Sequence, residues 1–333
     1  MPGVAELLVA YRNTRVLVTG ATGFIGRAVA GALSQCGAEL WLTGRNAKAQ
    51  EECARACAGA RTLTADLSRP GEFTRAYQEA RPAVIFNLAG YGVDREERDP
   101  TLAAALNTQL PGEIAAVIAQ DRASNWPGMR LVQAGSAFEY GPVAGPVTEE
   151  SPTAPQSDYG RTKLAGTGLV LDAREIRGVP AVVARLFVAY GPGEHPGRLL
   201  PSLLRIAESG EKLELTAGQQ RRDFTYVGDV AEGLLRLGLA RDCPGVVNLA
   251  TGRQTSVREF AECAAELLGL APGQLQFGAL PYRDDEVAQG PADTARLARL
   301  LSWTPRTTVR EGIRETIRMH AQAHAGAGKG SAG

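Results

Sequence analysis

The segment from Arg15 to Gly26, RVLVTGATGFIG, constrains the fold of this chain more than any other stretch. It begins with a short run of valine and leucine (residues 16–18), which predicts a buried strand. Glycines follow directly, and apolar residues then recur at helical spacing. A strand, a glycine turn and a helix in this order predict an α/β sheet with a dinucleotide-binding turn, because the helix N-terminus faces the phosphates.

Each glycine of this turn has its own predicted role. Gly20 lets the chain turn sharply after the strand, Gly23 lets a pyrophosphate approach the backbone, and Gly26 lets the helix pack closely. Two residues separate Gly20 from Gly23, where the most common fingerprint has one. The alternative is a glycine-rich turn in an α/β protein that binds no dinucleotide.

The composition indicates a globular chain. Its 333 residues suffice for one large or two modest domains, with 44% hydrophobic and 22% charged side chains. Lys plus Arg equals Asp plus Glu at 36 each, which argues against nucleic-acid or membrane-surface partners. No apolar run reaches the length of a membrane span and the N-terminus lacks a signal-peptide pattern, so we expect a cytoplasmic protein.

The cysteines indicate reduced core thiols, since the five are odd in number and scattered. Cys53 and Cys57 lie one helical turn apart, but no second pair or nearby histidine completes a zinc set. The sequence therefore predicts no metal site.

The end of the second predicted strand (residues 39–43) bears on the type of cofactor. NAD sites usually place a carboxylate there, whereas this chain has Gly44 followed by Arg45. A guanidinium suits the 2′-phosphate of NADP, so we expect NADP(H) to be preferred and NAD(H) to remain possible. The alternative is a solvated surface arginine.

The next predicted strands (62–65 and 83–86) also end in candidate cofactor residues. Asp66, before Leu67, could accept a hydrogen bond from an adenine amino group or cap a helix starting near Pro70. Leu88 and Ala89 leave space for a flat cofactor.

A helix is predicted over residues 51–60, and a longer one over residues 101–119 with a kink at Pro111. Asn107 lies inside the longer helix, either as a core hydrogen-bonding residue or as a support for the active site.

Ser136, Tyr159 and Lys163 are the predicted catalytic residues. Tyr159 and Lys163 are four residues apart, so they share one face of a helix. We expect the ammonium to lower the pKa of the phenol, which then exchanges a proton with a sugar or alcohol oxygen. Ser136 follows the fifth predicted strand (130–134) and could hold the same oxygen. The alternative is an ordinary amphipathic helix surface.

Together these motifs resemble an extended short-chain dehydrogenase/reductase, the nucleotide-sugar epimerase/dehydratase family. The resemblance runs from Arg15 to about His320. Its further matches, in chain order, are RLFVAYGPG (185–193), RDFTYVGDV (222–230), Asn248, Arg283 before Asp293, and Trp303 with Pro305.

The resemblance implies an α/β fold: a Rossmann doubly wound parallel sheet with a smaller C-terminal substrate-binding domain. The expected cofactor residues are Gly20, Thr22, Gly23, Phe24, Ile25, Gly26, Arg45, Asp66, Leu67, Leu88, Ala89, Asn107, Tyr159 and Lys163. The expected substrate residues are Ser136, Ala137, Arg222 and Arg283, the two arginines gripping the diphosphate of a nucleotide diphosphate sugar. Pairing with Asp223 or Asp285 is the structural alternative for these arginines. The family also implies a homodimer.

The domain boundaries follow from the same pattern. Residues 11–185, with returning segments near 221–252, are expected to form the NAD(P)-binding domain. Residues 186–220 and 253–320 are expected to form the substrate domain, and the alanine- and glycine-rich tail, 321–333, is expected to be disordered.

The sequence departs from the family pattern beside Ser136. Sugar 4,6-dehydratases carry an Asp-Glu pair where this chain has Ala137 and Phe138, and Glu139 in an extended segment would point to the opposite side. Val188 replaces an Asn that usually helps bind the substrate phosphate.

These departures leave three functions to compare. We expect NADP(H)-dependent reduction of a nucleotide diphosphate-linked keto-(deoxy)sugar, with Tyr159 as proton donor. The alternative is an NDP-sugar 4-epimerase, or another lyase or dehydratase of the family. A non-catalytic cofactor-binding protein is the third.

Overall fold

A computed structural model describes residues 4–93, 96–121, 124–282 and 290–327. The helices are α1 Val4–Ala10, α2 Phe24–Gln35, α3 Ala47–Ala56, α4 Glu72–Ala80, α5 Pro100–Ala104, α6 Leu110–Gln120, α7 Asp158–Arg177, α8 Leu199–Ser209, α9 Val227–Leu239, α10 Val257–Leu268, α11 Ala295–Leu301 and α12 Val309–Ala327. The strands are β1 Arg15–Thr19, β2 Glu39–Gly44, β3 Arg61–Thr64, β4 Val84–Asn87, β5 Leu131–Ser136, β6 Ala181–Leu186, β7 Val188–Tyr190, β8 Leu213–Leu215, β9 Arg221–Arg222, β10 Phe224–Tyr226, β11 Val246–Leu249, β12 Thr255–Ser256 and β13 Leu275–Phe277.

The predicted Rossmann-type sheet is confirmed. Seven parallel strands lie in the order β11-β6-β5-β4-β1-β2-β3. The chain runs outward from β1 to β3 and then returns to place β4 on the other side of β1. Such a reversal opens a crevice at the carboxyl ends of β1 and β4, where open α/β sheets bind their ligands.

Alternating side chains of the central strand pack into two cores, one on each face of the sheet. Val16 and Val18 belong to a core with α2 and α9, whereas Leu17 belongs to a core with α4, α6 and α7. A strand covered on both faces needs apolar side chains on both, which explains the unbroken run that identified β1.

A third core lies outside the large sheet. Tyr190, Phe224 and Phe260 form its centre, and the rings of Phe224 and Phe260 stack at 4.4 Å. Three two-stranded sheets, β10-β7, β12-β9 and β13-β8, accompany it. The segments that build this core come from both halves of the chain, and the domain boundaries given above stay a prediction.

The long helix has a different irregularity from the predicted kink. Residues Ala105–Gln109 form a π-helical turn between α5 and α6, and Pro111 is the second residue of α6. Proline has no N–H for the carbonyl of Asn107, four residues earlier. A Cβ on Gly166 of α7 would lie 2.0 Å from that carbonyl oxygen, so α7 crosses the π-turn at a distance that only glycine permits.

Residues 100–120 also have the length and mean hydropathy (1.2) of a membrane span, which the sequence analysis overlooked. Half of the most apolar window is buried inside the protein, as in a core helix. This stretch is the one candidate span in the described part of the chain, and the cytoplasmic location stays a prediction.

Two further expectations are wrong. The helix expected at 51–60 is α3, Ala47–Ala56, because the side chain of Asn46 accepts a hydrogen bond from the backbone N–H of Ala49 and starts the helix earlier. The tail expected from residue 321 is helical through Ala327, since alanine favours the helix, and residues 328–333 lie outside the described part.

Candidate active site

The glycine turn adopts the geometry that a dinucleotide site needs. Gly20 has a left-handed φ of 63°, and a Cβ there would lie 2.7 Å from the backbone nitrogen of Ala89. A Cβ on Gly26 would lie 2.1 Å from the carbonyl oxygen of Gly20. Gly23 caps α2 without a side-chain hydrogen bond, and no acidic residue occupies the first turn. This helix end therefore fits a phosphate group.

Substituting alanine for Gly26 should abolish cofactor binding, because the added methyl group would push α2 away from the turn. Gly31, on the same helix, is the matched control, since a Cβ there would have no described atom within 4 Å. We expect Gly31→Ala to keep the affinity and to stabilise the fold by about 0.5–1 kcal/mol. Titration of NADPH fluorescence measures the affinity; equal affinities in the two variants would contradict this role of Gly26.

A chain of buried polar side chains joins the carboxyl ends of β1, β4 and β5. The Thr19 hydroxyl donates to the amide oxygen of Asn87, whose nitrogen donates to Gln133 at 2.6 Å. Thr19 also accepts hydrogen bonds from the backbone N–H groups of Leu88 and Ala89, at 3.2 and 3.3 Å. These hydrogen bonds hold the backbone after β4 in place. The sequence did not predict them.

Asn107 fastens the same loop to α7. Its amide nitrogen donates to the carbonyl of Tyr91 at 2.7 Å and to the Thr162 hydroxyl at 3.0 Å, and its oxygen accepts from the N–H of Tyr91. A Cβ on Gly90 would lie 3.3 Å from the Asn107 oxygen and 4.0 Å from the Lys163 ammonium nitrogen. Asn107 therefore supports the loop beside Lys163, one of the two roles expected.

Ser136, Tyr159 and Lys163 meet where β5 faces the start of α7. Ser157 caps α7, so the first two turns of this helix carry Tyr159 and Lys163. The Lys163 ammonium donates to the carbonyl of Ala134, two residues before Ser136 on β5, at 2.5 Å. The Ser136 hydroxyl accepts a hydrogen bond from the backbone N–H of Phe138 at 3.2 Å, and Ser136 lies close enough to Tyr159 to oppose the rise in the pKa of that phenol.

The ionisation of this group differs from expectation. Burial raises the pKa of Tyr159 to about 12, and the Ser136 side chain acts in the opposite direction. Burial lowers the pKa of Lys163 to about 8, opposed by the negative charge of Glu139. The pKa of Tyr159 therefore lies above its usual value and not below it as expected, because burial of the phenol has the largest effect.

Glu139 lies beneath the site, fully buried. Its carboxylate accepts hydrogen bonds from the Ser136 backbone N–H at 2.8 Å, the Thr167 hydroxyl at 3.0 Å and the Arg185 guanidinium at 2.8 Å. The Arg185 guanidinium also stacks 4.3 Å above the ring of Tyr140. The carboxylate does point away from the substrate side.

Glu139 points away for a different reason from the expected one. The expectation assumed an extended segment after Ser136, and this segment is not extended. Residues Ala137–Glu139 form a 3-10 turn, and Ser136 and Glu139 cap it reciprocally. Phe138 of the same turn is exposed, and its ring meets the Tyr159 ring edge-on at 6.0 Å.

The backbone at Gly44, beside Arg45, is closely packed against side chains at the end of β2. A Cβ on Gly44 would lie 3.2 Å from the side chain of Gln50 and 3.3 Å from that of Thr22. Gln50 is fixed, since it donates to the carbonyls of Leu42 and Leu63 at 3.2 and 2.8 Å. Arg45 itself is exposed.

Asp66 does not cap α4, which begins after Gly71. Its carboxylate accepts hydrogen bonds from the backbone N–H and hydroxyl of Ser68, which hold the pKa of Asp66 below its usual value. The positive charges of Arg69 and Arg45 act in the same direction. Asp66 thus lies near Arg45, on the side of the crevice expected for the adenosine.

Of the two predicted diphosphate arginines, the structure describes one. Arg222 is partly buried, which lowers its pKa, and it donates to the carbonyl of Arg221 at 2.8 Å. Its suggested partner, Asp223, accepts hydrogen bonds from Thr251 and Gly252 at 2.7–2.9 Å. Arg283 and Asp285 lie outside the described residues.

The profile of the NAD dependent epimerase/dehydratase family matches residues 16–250, from β1 to just after β11. The chain belongs to this family. The predicted family, fold and enzyme class, an NAD(P)-dependent nucleotide-sugar oxidoreductase or epimerase, are thereby confirmed.

Relatives within the epimerase/dehydratase family carry several activities. dTDP-6-deoxy-L-talose 4-dehydrogenase (NAD(P)(+)) from Kitasatospora kifunensis is 32% identical over 89% of this chain and 92% of its own. dTDP-4-dehydrorhamnose reductase from Streptomyces griseus is 29% identical over 80% of both chains. The structure of MoeE5 in complex with UDP-glucose and NAD superposes with a TM-score of 0.78, at 29% identity, over 92% of this chain and 99% of its own.

The predicted site residues of this family member fall into two regions of one crevice. The turn from Gly20 to Gly26, together with Arg45 and Asp66, lies at the ends of β1, β2 and β3. The catalytic set lies at the ends of β4 and β5, on the other side of the point where strand order reverses. Such an arrangement fits an extended dinucleotide, with small residues, Ala89 and Gly90, between the two regions.

Proposed function

We propose that this protein is an NADP(H)-dependent reductase of a nucleotide diphosphate-linked keto-deoxysugar. The observation that carries the proposal is the ring of Phe138, which meets the Tyr159 phenol edge-on at 6.0 Å where a dehydratase carries an acidic residue. An exposed aromatic ring beside the phenol favours a substrate with an apolar face, such as the methyl group of a 6-deoxysugar. Two relatives are named for acting on 6-deoxysugars, dTDP-6-deoxy-L-talose and dTDP-4-dehydrorhamnose.

In the proposed mechanism Tyr159 is the general acid. A bound reduced nicotinamide supplies a hydride to the ketone carbon. The Tyr159 hydroxyl, protonated at neutral pH because its pKa is about 12, donates its proton to the ketone oxygen, and the Ser136 hydroxyl donates a hydrogen bond to that oxygen. The positive charge of Lys163 stabilises the phenolate that remains.

The residues that would hold the cofactor follow from the two regions of the crevice. The turn from Gly20 to Gly26 (with Thr22, Phe24 and Ile25) and the start of α2 would bind the pyrophosphate. Asp66 and Leu67 would bind the adenine, and Leu88 and Ala89 would lie along the cofactor. Lys163 would bind the nicotinamide ribose and Asn107 would support that end. On the substrate side, Ala137, Arg222 and Arg283 stay proposed ligands.

Replacing Arg45 with alanine should weaken NADPH binding about tenfold to a hundredfold and leave NADH binding unchanged, since a charge-assisted phosphate contact contributes roughly 1.5–3 kcal/mol. Arg55, equally exposed on α3, is the matched control, and Arg55→Ala should change neither affinity. Dissociation constants for both nucleotides in the three proteins measure the effect. Equal loss for NADPH and NADH would refute a contact with the 2′-phosphate.

An NAD-dependent NDP-sugar 4-epimerase is the second candidate, supported by the likeness to MoeE5 in complex with UDP-glucose and NAD. Mass spectrometry of the nucleotide released from freshly purified, denatured protein separates the two. NADP(H), or an empty protein that consumes NADPH with a dTDP-4-keto-6-deoxysugar, supports the reductase. Stoichiometric NAD or NADH would replace it with the epimerase.

We also propose a homodimer. The outer face of α7 exposes two large apolar side chains seven residues apart, Leu169 (42%) and Ile176 (78%), which a partner protomer could cover. The substitution Ile176→Glu should produce a monomer in analytical ultracentrifugation. Leu280, exposed to a similar extent (43%) in the segment after β13, is the matched control, and Leu280→Glu should remain dimeric. A wild-type monomer would refute the dimer.

A further inference from the structure

Two of the three histidines of this chain, His320 and His324, lie together at the surface. His320 and His324 are four residues apart on α12, so their side chains share one face. Glu208, near the end of α8, reaches both: its carboxylate oxygen Oε1 lies 2.8 Å from His320 Nε2 and 3.7 Å from His324 Nε2. The three ligand atoms all lie within 4.8 Å of one another.

These donors form a set that zinc uses in proteins. Two imidazole nitrogens and a carboxylate bind Zn²⁺ at about 2.0–2.2 Å, which places ligand atoms about 3.4 Å apart in a tetrahedral shell. The side chains are 34%, 58% and 57% exposed for His320, His324 and Glu208, so small rotations can bring their atoms to these distances. Water can complete the shell.

A hydrogen bond between His320 and Glu208 does not by itself account for His324. The two histidine rings lie 4.3 Å apart at 89°, and both turn Nε2 toward the same carboxylate oxygen. If both rings were protonated, two like charges would face each other, which is unfavourable. A divalent cation satisfies both neutral imidazoles and the carboxylate at once.

We propose that Glu208, His320 and His324 bind one Zn²⁺ ion, which links the C-terminal helix α12 to α8. Near the opposite end of α8 lies Arg198, whose charge acts on Tyr159. Glu208 lies ten residues after Arg198, which is about 15 Å along the helix axis at 1.5 Å per residue. The metal therefore stabilises the C-terminal helix and takes no part in the reaction, so this proposal is independent of the proposed function.

Isothermal titration of tag-free, chelator-treated protein with ZnCl₂ tests the site. We expect one Zn²⁺ per chain with a micromolar or lower dissociation constant, weakened at least about tenfold in His324→Ala and in Glu208→Gln. The third histidine, His195, lies outside the cluster, and His195→Ala should bind zinc like the wild type. No uptake by the wild type, or equal uptake by His324→Ala, would overturn the proposal.

Hydrogen exchange separates a structural link from loose binding at the surface. Adding Zn²⁺ should slow the exchange of backbone amides near the end of α12 in the wild type. In His324→Ala the exchange rates should be the same with and without Zn²⁺. Turnover of the wild type should be the same before and after chelation. Zinc uptake without slower exchange, or loss of turnover on chelation, would contradict the link between α12 and α8.

Discussion

Tyr159→Phe should lower kcat/KM for ketone reduction by about 10²–10⁴, because general acid catalysis contributes on that order. The change removes one hydroxyl group and keeps the ring, so the edge-on contact with Phe138 survives. We expect KM and the affinity for NADPH to change little. Steady-state kinetics and fluorescence titration of the nucleotide measure the two quantities separately.

Tyr226→Phe controls for the loss of a tyrosine hydroxyl elsewhere in the protein. Tyr226 packs against the third core, and its replacement should leave turnover unchanged. If Tyr159→Phe keeps wild-type turnover, Tyr159 is not the proton donor. If it loses NADPH binding and turnover together, its role is in binding rather than in proton transfer.

Glu139→Gln should have the second largest effect of the substitutions considered. It should lower the stability of the fold and also change the pH dependence of the reaction. Glu139 and Arg185 form an ion pair with both side chains nearly inaccessible, at 0% and 4% exposure. Removing one charge leaves the guanidinium buried without its counter-ion, which typically costs about 3–5 kcal/mol. Glutamine can still accept from the Ser136 N–H, so we expect a folded protein with a lower unfolding midpoint in denaturant titrations.

The same variant should shift the pH profile, because the negative charge of Glu139 raises the pKa of Lys163. In the wild type, Lys163 is charged below its pKa of about 8, so kcat/KM for reduction should be flat there and fall at higher pH. Without the carboxylate this pKa drops, and the fall should begin at lower pH. Glu139 thus acts through Ser136 and Lys163 as a positioning residue.

Glu149→Gln is the matched control. The Glu149 carboxylate is also nearly buried, accepts from the Asn248 N–H at 2.8 Å and pairs with Arg296. We expect this variant to lose stability and keep the wild-type pH profile. If the pH profile of kcat/KM is also unchanged in Glu139→Gln, the role of Glu139 is structural only.

Local patterns accounted for the sheet and for the centre of the site. The turn from Gly20 to Gly26 and the pair Tyr159 and Lys163 are each set by neighbours in sequence, through glycine geometry and helical spacing. The predicted position of α3 was wrong, because the prediction followed the alanine-rich pattern and did not include the Asn46 side chain, which caps the helix and starts it earlier.

Contacts between distant segments could not be predicted in this way. Lys163 donates a hydrogen bond to the carbonyl of Ala134, 29 residues away, and Glu139 pairs with Arg185, 46 residues away. Glu208 and His320 are 112 residues apart. Each pairing depends on how strands and helices pack, which spacing along the chain does not encode.

The contact behind Gly44 bears on any attempt to change the coenzyme preference of this enzyme by substitution at the end of β2. Introducing aspartate there, the usual carboxylate for NAD, would force Gln50 aside and break the bridge it makes between β2 and β3. We therefore expect paired substitutions, one at Gly44 and one that shortens the buried amide of Gln50, to change coenzyme preference with less loss of stability than the single change at Gly44.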